Sequence, residues 1–159
     1  MRRVYLILQD GSEFAGQGFG SEAPKPQDLS SLNGGIRCVG EVVFNTAMSG
    51  YMEVLTDPSY TGQLVAMTYP HIGNYGVQAD WSEIAPEAGV ARPKIKAAGF
   101  IVRSLYSGPV PPGRITLDSF LASHEIHGIS DIDTRRLTLH LRDNRAHTGQ
   151  SASPDAGHT

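Results

Sequence analysis

Several residues have types and spacings that could support chemistry. Cys38 is the single cysteine, and with six histidines in the chain it could act as a nucleophile with an imidazole base. It sits in a Gly-rich stretch with no nucleophile-elbow pattern and no base placed beside it, so a small buried hydrophobe is the favoured reading. His124 and His127 put two imidazoles three residues apart. The two-histidine zinc motif uses a spacing of four and a third ligand elsewhere, while Gly128 suggests a helix end where histidine is simply favoured by the dipole. Asp131 and Asp133 could form an acid/base pair, but helix capping with a local Arg135 pairing explains the same residues and is favoured. Gly16-Gln17-Gly18-Phe19-Gly20 has the glycines of a phosphate loop but is followed by a Pro-rich stretch, where the fingerprint needs a helix; a bent hairpin strand is the better reading. Ser59, in Asp57-Pro58-Ser59-Tyr60, reads as a turn serine, and His71, after Tyr69-Pro70, falls at a strand end. These residues make no complete catalytic constellation.

The elements that must position these side chains follow from pattern. Residues 4–8 (Val-Tyr-Leu-Ile-Leu), the Asp10-Gly11 turn and the extended residues 13–17 predict an opening β-hairpin. Residues 21–39 carry prolines, serines and glycines and predict a loop of about twenty residues, a length that goes with either function or mobility. Strands are expected at 41–45, 63–69 and 97–103, a helical piece at 51–55, and a turn at Asp57-Pro58. Residues 76–96 have weak periodicity, and 104–114 read as loop. Thr116 can cap a helix bearing Leu117, Phe120, Leu121 and His124 on one stripe. A short strand at 128–130 and a second helix, capped by Asp131 or Asp133 and carrying Leu137 and Leu141, follow. Past Asn144 the polar residues 145–159 predict a frayed tail. Strands early and helices late give a mixed α/β class.

Composition bounds the partners. With 159 residues, 40% apolar and 18% charged, the chain suits one globular domain. A net charge of -3 and basic clusters no longer than Arg2-Arg3 and Arg135-Arg136 argue against a nucleic-acid surface. A single cysteine excludes an internal disulfide framework and any multi-cysteine metal site, and fits a reducing compartment. No apolar run is long enough for a membrane span, and residues 4–8 are too short for a signal peptide, so a cytoplasmic location is expected.

Three stretches together are more specific than any single site. They are residues 40–63 (GEVVFNTAMSGYMEVLTDPSYTGQ), 68–74 (TYPHIGN) and 129–138 (ISDIDTRRLT). In this order and spacing, with the Asp10-Gly11 hairpin, the chain resembles the N-terminal domain of the small chain of glutamine-hydrolysing carbamoyl-phosphate synthase over roughly residues 4–144. The resemblance implies a three-layer β/β/α domain of the swivelling type at residues 1–144. It implies a ligase holoenzyme that makes carbamoyl phosphate from glutamine, bicarbonate and ATP for arginine and pyrimidine synthesis. Its expected partners are the large subunit, to which ammonia travels through a tunnel, the small chain's own C-terminal glutaminase domain, and glutamine. ATP and Mg belong to the large subunit, and no cofactor is expected in this chain. The family serine of the Thr-Asp-Pro-Ser-Tyr motif contacts glutamine, and that position is Ser59.

The family's class I glutaminase half, with its Cys, His and Glu, is not in these 159 residues, and Cys38 lies outside any matching motif. The loop at 21–39 and the stretch 76–96 run longer than in the family, and residues 144–149 follow its continuation only in part. The chain alone is therefore expected to be inactive. A second expectation, from a different class, is a stand-alone binding or interaction module that reuses the fold without enzyme activity. A third is a metal-dependent hydrolase built on His124 and His127.

Overall fold

Alternating burial defines the first elements. In the computed structural model, which describes residues 2–22, 36–78, 95–143 and 148–152, Val4, Leu6 and Leu8 are buried and their neighbours are not, so β1 (Arg2–Leu8) turns one face to a core. The chain reverses at Asp10-Gly11. Gly11 takes φ +84°, the Ser12 N–H donates to Asp10 Oδ1 at 2.9 Å, and β2 (Glu13–Gly20) returns antiparallel with Phe14 opposite Leu6. β3 (Ile36–Asn45) begins inside the stretch expected as loop. α1 (Tyr51–Thr56) buries all its residues except Glu53, and a 3-10 turn over Pro58–Tyr60 leads to β4 (Leu64–Met67).

The second half is built from shorter pieces: β5 (His71–Ile72), β6 (Gly99–Ile101), β7 (Ser104–Leu105), α2 (Leu117–Ser123), β8 (His127–Ser130), α3 (Thr134–Asp143) and β9 (Thr148–Ala152). Thr116 caps α2 through a 3.2 Å bond from the Ser119 N–H, and Asp133 caps α3 by accepting from the Arg136 N–H at 3.0 Å. Two expectations need correction. Residues 104–114 are not all loop, since β7 pairs in parallel with β5. The polar residues expected as a frayed tail hold β9, which pairs antiparallel with both β1 and β3. Backbone hydrogen bonds on both edges compensate for its lack of large apolar side chains.

The sheet closes in the order β1-β2-β8-β6-β4-β3-β9. The pairs β3/β4, β4/β6 and β6/β8 are parallel, and the other four are antiparallel. Its central strands separate two cores. Leu64 and Ala66 of β4 join Val4, Leu6, Phe14, Val42 and Ile129 in an inner cluster, to which α3 adds Leu137 and Leu141. Val65 and Met67 join Phe100 and the buried faces of α1 and α2 in an outer cluster. Helices thus pack against both clusters of a curled sheet, and the class is mixed α/β. At one crossing only glycine fits: a Cβ on Gly16 would run into the Ser130 carbonyl oxygen of the neighbouring β8.

Candidate functional site

The turn that carries Ser59 is held from three sides. Asp57 closes α1 by donating its N–H to the Glu53 carbonyl at 2.9 Å, and Pro58 fixes φ at the next step. The Asp57 carboxylate then accepts twice from Ser59, from the N–H at 2.8 Å and from the hydroxyl. These two donors, the hydroxyl first, hold the Asp57 carboxyl below the usual carboxylate range. Tyr60 ties the turn to the sheet, because the Asn45 side-chain amide at the end of β3 donates to its hydroxyl at 2.9 Å. Gly62, at φ +74°, donates to the Lys96 carbonyl at 3.1 Å and directs the chain into β4.

Ser59 is exposed on this fixed turn. Its hydroxyl proton is committed to Asp57, so its oxygen faces outward as an acceptor. That suits contact with a ligand ammonium or amide N–H. It does not suit nucleophilic attack, since a carboxylate stabilised in its charged form is a poor base. Phe44, Met48 and Tyr69, near the same ends of the parallel strands β3 and β4, are exposed apolar side chains.

The other candidates remain apart. Cys38 lies against the inner core, donates its thiol to the Ala98 carbonyl at 3.1 Å, and is pushed by burial up to about 11. His124 ends α2 with Nδ1 at 2.9 Å from the Phe120 carbonyl, whereas His127 is on β8 with Nδ1 at 3.0 Å from the Ser21 carbonyl. Among the described residues no group of three His, Cys, Asp or Glu side chains is placed to hold a metal ion. Asp133 is a helix cap, and Asp131 is an exposed residue at φ +62°. The expected Arg135 pairing is replaced by Arg136, whose guanidinium lies 4.4 Å from the Phe14 ring centroid and donates to the Glu13 carbonyl. Gly16, Gly18 and Gly20 are strand residues of β2, and His71 is exposed on β5. No helix among the described residues is long and apolar enough to cross a membrane.

Sequence reasoning missed the role of Asp57, although an Asp two residues before a serine in a Pro turn is the signal for an Asx bond. It also missed the stacked Tyr51 and Tyr75 rings, 4.3 Å apart, because their contact spans 24 residues of chain.

Fold and site together define a mixed α/β domain that presents a fixed, accepting serine at its surface. The family profile described as "Carbamoyl-phosphate synthase small chain, CPSase domain" matches residues 6–150, and the chain belongs to that family. It is 47% identical over 138 residues to the carbamoyl phosphate synthase small chain of Methanocaldococcus jannaschii, covering 87% of this chain and 31% of that one. It is 42% identical over 156 residues to the small chain of Syntrophotalea carbinolica, covering 96% of this chain and 35% of that one. The chain thus spans about a third of the length of these curated relatives. A peptidase M28 precursor from Shewanella amazonensis overlaps 95% of this chain and 34% of its own, at 12% identity and a TM-score of 0.44, too low to carry an argument.

Proposed function

We propose that this chain is the domain of a glutamine-hydrolysing carbamoyl-phosphate synthase small chain that docks the large subunit and completes the glutamine site. The observation that carries the reading is the Ser59 turn: it lies in a family motif, it is exposed, and its oxygen is held as an acceptor by Asp57. An acceptor at a domain surface suits a ligand shared with a second body, which here would be the glutaminase domain. Ser59 would take an N–H of glutamine and orient it, while the nucleophile and base come from the glutaminase domain. Ammonia would then pass to the large subunit, where ATP, Mg and bicarbonate are used. In this reading the chain holds no cofactor of its own, works in the cytoplasm, and serves arginine and pyrimidine synthesis.

Glutamine turnover by the purified 159-residue chain tests the division of labour. The expected result is no glutamate above the uncatalysed background, with co-purification of a carbamoyl-phosphate synthase large subunit. Turnover by the chain alone would overturn the assignment of chemistry elsewhere. Failure to associate with either a large subunit or a glutaminase domain would favour an interaction module that has kept the fold only.

A further inference from the structure

We infer that a cleft beside α1, distinct from the Ser59 turn, binds a small zwitterion of the α-amino-acid class. The cleft measures about 350 Å³ and is lined by Ser49, Glu53, Tyr75, Gln78 and Arg114, with buried Met52 behind them. Small-ligand clefts have volumes of roughly 300–1,000 Å³. Charges of opposite sign stand on its walls. Glu53 comes from α1, and Arg114 comes from the segment that leads into α2. Among the described residues these two form no ion pair with each other or with a third group.

The walls are fixed before any ligand arrives. Val77 and Ile115 exchange backbone hydrogen bonds of 2.8 and 3.0 Å, which locks Gln78 and Arg114 side by side. Arg114 Nη1 donates to the Tyr75 carbonyl at 2.9 Å, leaving the rest of the guanidinium fork available. The Tyr75 hydroxyl accepts from the N–H groups of Gly50 at 2.7 Å and Tyr51 at 3.2 Å, so its own proton remains as a donor. Burial raises both the Tyr51 and Tyr75 phenols, and Glu53 adds to the rise while Arg114 opposes it, so both charges are felt at the same hydroxyls.

Arg114 and the Tyr75 hydroxyl together suit a carboxylate, and Glu53 with the Gln78 side-chain oxygen suits an ammonium. A ligand bearing only one of these charges would leave the other wall unpaired. The cleft borders the N-terminal half of α1, whereas the Ser59 turn follows its C-terminal end, and the inference does not rest on the glutamine reading.

Titration of the 159-residue chain with L-alanine, followed by amide NMR, tests it. The amides of residues 49–53, 75–78 and 114 are expected to shift while those of 59–62 stay in place. Propionate and ethylamine should each bind at least about tenfold more weakly than L-alanine, a loss of about 1.4 kcal/mol. Arg114→Gln and Glu53→Gln should each weaken L-alanine binding by a similar factor. If Arg114→Gln disturbs the fold, the exposed Glu53→Gln variant decides alone. The inference is overturned if L-alanine shifts nothing, if propionate or ethylamine binds as tightly, or if Glu53→Gln retains wild-type affinity.

Discussion

At the scale of single residues, hydrogen-bond direction decides what Ser59 and Cys38 can do. The Asp57 carboxylate accepts the Ser59 hydroxyl's hydrogen bond, so the serine oxygen can hold a donor but is not activated to attack. Cys38 is inert for the complementary reason: its thiol donates to the Ala98 carbonyl, and burial raises it to about 11, so the charged form is scarce. At pH 8 only about 0.1% of it should be thiolate, against about a tenth of an unperturbed cysteine at 9.0. Iodoacetamide labelling followed by mass spectrometry should therefore be slow at pH 8 and rise about tenfold per pH unit up to pH 10. The unfolded thiol loses its proton near 9.0 and the folded one near 11, so stability falls as pH rises between those values. Labelling at pH 8 as fast as that of a free thiol would contradict this placement. The burial of Cys38 was foreseeable from residue type; its acceptor was not, because Ala98 lies 60 residues away.

At the scale of elements, caps and turns were the most legible features. The Asp10-Gly11 turn, the Pro58 turn, and the caps Thr116 and Asp133 are local, each satisfied within three residues. The end of α2 is an exception to the residue preferences. Ile126 donates to the Leu121 carbonyl at 3.0 Å and Glu125 donates to Ala122 at 3.2 Å, the Schellman pattern, but the left-handed position is held by Glu125 at φ +58° and not by a glycine. Glu125→Gly should relieve that strain and stabilise the fold by about 1 kcal/mol, raising Tm by about 2–4 °C in calorimetry. A fall in Tm would show that the Glu125 side chain contributes more than its backbone costs. Residues 148–152 were illegible for a physical reason: Thr-Gly-Gln-Ser-Ala has no alternating apolar face, and its strand state depends on distant edges of β1 and β3. The two-residue strands β5 and β7 are too short to show any period.

At the scale of the whole molecule, the hairpin is clamped to the last helix. His140 of α3 meets Asp10 at 2.6 Å across 130 residues, and Arg136 packs over Phe14 one turn earlier. The Ser12 N–H foremost, then the Ser12 hydroxyl and His140, hold the Asp10 carboxyl down at about 2. Because this value lies below the ordinary 3.8, the stability it confers is complete above about pH 4 and is lost as pH falls toward about 2. Thermal melts of wild type and Asp10→Asn between pH 2 and 5 should converge at the acid end and separate above it. Parallel curves throughout would contradict the clamp. Closure of the sheet was the least legible feature, since it depends on strand order and on parallel pairings between segments far apart in sequence. The family motifs, by contrast, were legible as sequence and fall on the β3, α1 and β4 region and on the β8–α3 turn, where packing and caps constrain each position.

The central claim is that Ser59 contacts glutamine in a site completed by a second domain. It is tested most directly in the assembled synthase carrying Ser59→Ala, by comparing glutamine-dependent with ammonia-dependent carbamoyl phosphate synthesis. Losing one accepted hydrogen bond should raise the KM for glutamine about tenfold, roughly 1–1.5 kcal/mol, and leave the ammonia-dependent rate unchanged. An unchanged KM for glutamine, or an equal loss with ammonia, would contradict it.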